Sequence, residues 1–286
     1  MLGFFSTFLI VLAHLCLIKC SEVQGPTPVV MWHGMGDTCC LPFSLGAIKK
    51  LLERNIEGVY VKSLKIGNYV EDYESGFFIH PNRQVSDVCK QLAEDDRLKN
   101  GYNAMGFSQG AQFLRAVAQR CPNPPMKNLV SVGGQHQGVF GLPKCPSLSK
   151  KMCEYIRELL NFAAYESWVQ EGLVQATYWH DPLNETEYKE KSTFLSDINN
   201  ELHLNETYRT NLLRLSRLVL VKFTDDSIVQ PKDSEWFEFY APGQDKKILP
   251  LEQSKQYTLD KVGIRTLKET GRLIRLESPG DHLQMS

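Results

Sequence analysis

Apolar residues in this chain come in short unbroken runs, each followed by an amphipathic stretch. Pro28-Val-Val-Met-Trp32 is the first run. Its continuity is what a strand buried on both faces of a parallel sheet requires. Residues 44–54 then read as an amphipathic helix with Ser44 as its cap, and 58–65 as the next strand. Residues 71–83 are polar and aromatic, and are predicted as loop. Residues 85–98 read as a helix with apolar positions at Val85, Val88, Leu92 and Ala93. A short buried strand at 102–106, a turn, a helix at 111–120 and a strand at 128–134 follow. This alternation predicts a parallel sheet with right-handed crossovers.

The alternation stops near residue 135. From about 135 to 215 the chain is mostly helical in pattern and rich in aromatics, with Tyr155, Phe162, Tyr165, Trp168, Tyr178 and Trp179. It is predicted as a helical insertion, a cap over the C-terminal edge of the sheet, where open α/β folds bind ligands. Most of those aromatics are expected to form the insertion's own core. Strand character returns at 217–223, residues 237–261 are mixed, and 272–276 is a last short strand.

Gly106-Phe-Ser108-Gln-Gly110 lies at the turn after the third strand. G-x-S-x-G is the nucleophile elbow of the α/β-hydrolases. Small flanking residues make room for the sharp turn, and the following helix offers N–H groups to a developing oxyanion. In that fold the acid and then the histidine follow the serine in chain order. Asp225 and Asp226 stand just after the strand at 217–223, and spacing alone does not separate them. His282 follows the last strand. All the candidates therefore fall at C-terminal strand ends. His33-Gly-Met-Gly-Asp37 follows the first strand, where a second oxyanion donor belongs. His33 reads as structural, His136 precedes both aspartates and so has the wrong order, and His180 and His203 read as surface or capping residues.

Composition narrows the setting. A formal charge of −1 over 286 residues leaves no electrostatic footprint for nucleic acid. Residues 1–20 are almost wholly apolar and are predicted as a secretory signal peptide with a boundary between 20 and 25, a membrane anchor being the alternative. Residues 26–286 would then form a single domain carrying the insertion. Beyond that segment Cys39, Cys40, Cys89, Cys121, Cys145 and Cys153 remain, an even number suited to disulfides in a secreted chain. Cys145 and Cys153 are a natural pair by spacing, and no cysteine pair has zinc-site spacing. Sequons at Asn184-Glu-Thr186 and Asn205-Glu-Thr207 are glycosylation candidates.

Longer segments are more specific than any of these motifs. Trp32-His-Gly-Met-Gly-Asp37, Tyr102-Asn-Ala-Met-Gly-Phe-Ser-Gln-Gly110, Ser131-Val-Gly-Gly-Gln-His-Gln-Gly-Val-Phe-Gly141, Tyr178-Trp-His-Asp-Pro182, Asp233-Ser-Glu-Trp-Phe237 and Gly280-Asp-His-Leu-Gln284 carry a resemblance that runs from about residue 29 to the C-terminus. The chain resembles the lysosomal palmitoyl-protein thioesterases. The resemblance implies a cofactor-free hydrolase that removes long fatty acyl groups from S-palmitoylated proteins and other long-chain acyl thioesters. It implies Ser108 as nucleophile, His282 as base, Asp226 as its partner, and the Met35 and Gln109 N–H groups as oxyanion hole. It implies disulfides Cys39–Cys40, Cys89–Cys121 and Cys145–Cys153, and lysosomal delivery by a sorting receptor that reads N-glycans.

Two departures from the family pattern stand out. Asp225 replaces a typically glycosylated Asn, and Asn184 is an extra sequon. The chain also ends four residues after His282, where the family continues into an aromatic C-terminal helix. That departure keeps an inactive acyl-binding relative as an alternative expectation, beside a secreted lipase or esterase of the same fold. A free histidine titrates near pH 6.5, so a simple histidine base predicts activity that rises from acid toward neutral pH.

Overall fold

The computed structural model describes residues 25–141 and 149–285. The apolar runs become strands β1 (Val29–Trp32), β2 (Val61–Ser63), β3 (Tyr102–Phe107), β4 (Met126–Val132) and β5 (Arg217–Phe223). A short antiparallel pair, β6 (Phe239–Tyr240) and β7 (Ile248–Leu249), precedes β8 (Leu273–Ser278). The main sheet has the order β2-β1-β3-β4-β5-β8, and every pairing in it is parallel. It is the mostly parallel α/β sheet that the alternation predicts.

Alternation of side chains along each strand divides the core into two layers. Val30, Trp32, Ala104, Leu129, Leu218 and Leu220 face one layer; Val29, Met31, Phe107, Val132 and Phe223 face the other. Helices α1 (Leu45–Asn55), α2 (Tyr69–Phe78), α3 (Pro81–Ala93) and α4 (Gln109–Arg120) complete the first half of the chain. Val85, Val88 and Leu92 of α3 and Phe113, Leu114 and Val117 of α4 fill the larger layer, while Leu45, Ile48 and Leu52 of α1 fill the smaller. Trp32 meets Phe113 edge-on, and Phe113 meets Phe194 in the same way, with ring centroids 5.4 and 5.5 Å apart. These contacts tie the sheet to the segment between β4 and β5. Burying each such large side chain contributes about 1.5–3 kcal/mol.

Two readings of local structure change. The stretch expected as loop at 71–83 holds α2 and the start of α3. Asn68 caps α2 by accepting from Val70 and Glu71 N–H groups, and the Glu71 side chain accepts from Asn68 N–H, a full capping box. Strand β2 is shorter than the pattern at 58–65 implies. It is an edge strand with one neighbour, and only Val61–Ser63 pair with β1.

Between β4 and β5 the chain forms α5 (Lys150–Ala163) and several shorter helices. Tyr178 and Trp179 are buried here and Tyr165 is half-buried, whereas Tyr155, Phe162 and Trp168 are exposed. The aromatic core of this segment is therefore smaller than its composition implies. Among the described residues no helix is long and apolar enough to cross a membrane. The expected signal peptide at 1–20 lies outside them.

Candidate active site

Parallel register brings the critical loops to one edge. Trp32 pairs with Gly106, Phe107 with Val132, Val132 with Val221, and Phe223 with Ser278. The residues that follow these strands, His33, Ser108, Gly133, Asp226 and His282, are therefore neighbours in space.

Ser108 has φ 52° and ψ −127°, a strained left-handed turn between β3 and α4, and its N–H donates to Val132 O at 2.8 Å. The flanking glycines are explained by distance. A Cβ at Gly106 would lie 2.3 Å from Ala111 Cα, and one at Gly110 would lie 2.3 Å from the His33 carbonyl oxygen. Neither neighbour is a flexible side chain that could move aside. Gln109, the first residue of α4, is buried, and an N–H in a helix's first turn has no intrahelical acceptor.

The loop after β1 closes against the serine, since a Cβ on Gly34 would sit 3.0 Å from Ser108 Cβ. Asp72 of α2 holds this loop. Its carboxylate accepts from Cys39 N–H at 2.8 Å, Ile66 N–H at 2.7 Å and His33 Nε2 at 3.1 Å. His33 Nδ1 in turn lies 2.8 Å from Gly34 O. Burial alone would lower the His33 pKa, but the Asp72 carboxylate and the Gly34 carbonyl outweigh it and raise the value. His33 is thus structural, as its place in the loop predicts. Met35 lies beyond it, and Gln175 Nε2 donates to the Met35 sulfur at 2.9 Å and to Gly76 O at 3.1 Å. Tyr178 OH donates to Gln109 Oε1 at 3.1 Å.

His282 Nδ1 is hydrogen-bonded to Asp226 Oδ2. Asp226 Oδ1 also accepts from Ile228 and Val229 N–H groups, each at 2.8 Å. Burial alone would raise the Asp226 pKa; the bonds from His282, Glu235 and the Val229 N–H hold it below the usual range. Asp281 clamps the two loops together by accepting from Ser227 N–H at 2.7 Å and Ser227 Oγ at 2.8 Å. Asp225 is exposed and bonds instead to Thr224 and the Gly280 N–H. Of the two aspartates left open by spacing, Asp226 is the one bonded to His282.

Ser108 opens into a pocket whose apolar walls are Met35, Val139, Leu160, Ile228 and Val229. Leu160 belongs to α5, so the segment between β4 and β5 forms part of this wall. Among the described residues one trio of potential ligand side chains lies within 4.8 Å of one another, Asp226, Glu235 and His282. Within it His282 and Asp226 are bonded to each other.

Comparison with known proteins gives the family. The model of the palmitoyl protein thioesterase family matches residues 28–282. The chain belongs to that family. Palmitoyl-protein thioesterase 1 of Caenorhabditis elegans is 55% identical, over 95% of this chain and 93% of its own. Palmitoyl-protein thioesterase 3 of Dictyostelium discoideum is 37% identical, over 88% of this chain and 83% of its own. A relative from Drosophila melanogaster, named a lysosomal thioesterase PPT2 homolog, is 28% identical over 93% of this chain and 90% of its own.

In this thioesterase family member the remaining sequence candidates also have places. Cys39–Cys40 and Cys89–Cys121 are disulfides. Cys153 is disulfide-bonded, and its expected partner Cys145 lies outside the described residues. Asn184 and Asn205 are exposed and cap the helices that begin at Glu185 and Glu206. His180 is not a surface residue. Its ring is buried between Tyr188 and Phe239, with centroids 3.8 and 4.2 Å away. His136 is buried and stacked on Phe237, and its Nε2 lies 2.8 Å from Ser131 Oγ.

Sequence reasoning missed Asp72 and Glu235. The capping box at Asn68 and Glu71 was a usable signal for α2, and hence for a buried side of that helix. Nothing in Asp233-Ser-Glu-Trp-Phe237 marks Glu235 as a side chain with no solvent exposure.

Proposed function

We propose that this chain hydrolyses long-chain acyl thioesters, above all the S-palmitoyl groups of proteins, by serine acyl transfer. The observation that carries the proposal is Ser108 in the wall of an apolar pocket, on the same sheet edge as a bonded His282–Asp226 pair. Ser108 Oγ attacks the thioester carbonyl while His282 accepts its proton. Asp226 holds the imidazole in the tautomer with its free nitrogen toward the serine. The Met35 and Gln109 N–H groups stabilise the oxyanion, a contribution of about a hundredfold in rate for each donor. The C–S bond then breaks, and His282 returns the proton to the departing thiolate. Water, deprotonated by His282, attacks the acyl-serine carbonyl; the C–O bond to Ser108 breaks, His282 returns the proton to Ser108 Oγ, and the fatty acid leaves.

We assign residues 1–20 as a signal peptide, and 26–286 as one domain with its insertion at about 135–215. Delivery to the lysosome through glycans on Asn184 and Asn205 fits their exposure and the lysosomal relatives. The test is turnover of matched palmitoyl thioester and oxygen-ester substrates, with covalent labelling by a fluorophosphonate mapped to Ser108. The thioester is expected to be preferred. Preference for the oxygen ester would identify a lipase or esterase, and acyl binding without labelling would identify a non-catalytic relative.

A further inference from the structure

Glu235 stands behind the histidine–aspartate pair and has no part in the mechanism above. It lies on the short helical turn Lys232–Trp236 and has no solvent exposure. Its Oε2 accepts from Phe223 N–H at 3.0 Å, whereas Oε1 has no donor in the protein. Its carboxyl oxygen, one from Asp226 and one His282 nitrogen all lie within 4.8 Å of one another. Lys222 is the nearby cation, but its ammonium bonds to Asp233 and Glu277, each at 3.4 Å, and lies over the Trp236 ring.

Two carboxylates in one buried site cannot both remain ionised, so one keeps a proton. Asp226 is the one provided for as an anion, with two backbone N–H groups and His282 aimed at it. Glu235 has one backbone donor and an oxygen without any, and that oxygen is satisfied if it carries the proton and donates it.

We propose that Glu235 is a positioning residue that stays neutral and donates a hydrogen bond to Asp226, so that less of the Asp226 charge is left to hold a proton on His282. Burial first, and then the Asp226 carboxylate, push its pKa up to about 10, in the direction the geometry requires. The effect on the histidine follows from charge. A neutral donor draws on the Asp226 charge, which weakens its stabilisation of the imidazolium. Loss of that donor leaves the full charge of Asp226 on the histidine, and an ionised Glu235 would add a second. Either change favours the protonated imidazole, which cannot accept the serine proton. The charged or titratable groups facing Glu235 are Asp226, His282 and Lys222, with Asp233 beside it on its own turn.

The inference rests on the serine-hydrolase reading, and its test separates the two. In Glu235→Leu the acid limb of kcat/KM for a palmitoyl thioester is expected to move up by about one pH unit, so that turnover on that limb falls roughly tenfold. The neutral plateau should change far less. Glu235→Gln keeps an N–H donor at that position and should retain the wild-type limb. A Glu235→Leu limb that coincides with wild type would overturn the proposal, as would a Gln variant that shifts as far as the Leu variant. A second measurement requires neither turnover nor a folded Leu variant. The infrared spectrum of the wild type at neutral pH should contain a protonated-carboxyl C=O band that Glu235→Gln lacks. A wild type without that band would overturn the proposal whatever the enzyme's substrate. A protein that shows the band but turns over no thioester would keep the neutral Glu235 and sink the functional reading instead.

Discussion

Ser108→Ala is expected to lower kcat for a palmitoyl thioester by about 10⁴–10⁶-fold, with little change in KM and no loss of folded protein. The size follows from the chemistry. Without Oγ there is no acyl-enzyme, and His282 and Asp226 have no nucleophile to activate. The fold is expected to survive because alanine keeps the same Cβ in the same strained turn, where Ser108 makes no side-chain cap to α4. Substitution at Gly106 or Gly110 would instead drive a Cβ into neighbouring backbone. Asp226→Asn should cost about 10³–10⁴-fold, since an amide N–H facing His282 favours the wrong imidazole tautomer. The two substitutions combined should cost little more than Ser108→Ala alone, because both act on one proton transfer. Single-turnover kinetics beside a thermal melt check this. A Ser108→Ala protein with near wild-type turnover would remove Ser108 from the mechanism.

The parts of this molecule that the sequence made legible are those governed by period and order. β1 is buried along its whole length and so appears as an unbroken apolar run, whereas β3, β4 and β5 alternate buried with less buried positions and show in the sequence through their order among the helices. Ser108, the aspartate pair and His282 fall at strand ends because parallel strands deliver all their C-termini to one edge. What escaped depends on direction rather than order. Asp225 and Asp226 are adjacent in one loop, yet Asp225 is exposed and the side chain of Asp226 is buried against His282. The helix Tyr69–Phe78 escaped because it exposes Tyr69, Val70 and Phe78 while burying Asp72 and Ser75, which breaks the amphipathic pattern, and its N-terminal capping box is the clearer mark. Glu235 escaped for the same physical reason that makes it informative. A carboxyl group is expected at the surface unless a partner retains it inside, and that partner, Asp226, is brought beside it only by the fold.

Asp72→Ala is expected to destabilise the protein by about 3–5 kcal/mol, the usual cost of removing one partner of a buried ion pair. It is also expected to impair catalysis although Asp72 touches no reacting atom. Its loss leaves the buried N–H groups of Cys39 and Ile66 without their acceptor and His33 without its counter-charge. His33 and Cys39 stand on either side of Gly34 and Met35, so their bonds to Asp72 fix that stretch and the N–H assigned to the oxyanion. Asp72→Asn keeps the shape and can still accept, so it should be milder in stability yet still lose the charge. The pH dependence of the two changes discriminates. His33 has a raised pKa in the folded protein, so the stability it contributes is fully present below the unfolded value near 6.5 and is lost as pH rises through the folded value. The stability difference between wild type and either variant should therefore be larger at pH 5 than at pH 8.5. Denaturant unfolding at those two pH values measures it. An equal difference at both would mean that His33 is neutral in the fold, and that Asp72 acts on the oxyanion loop through its backbone bonds alone.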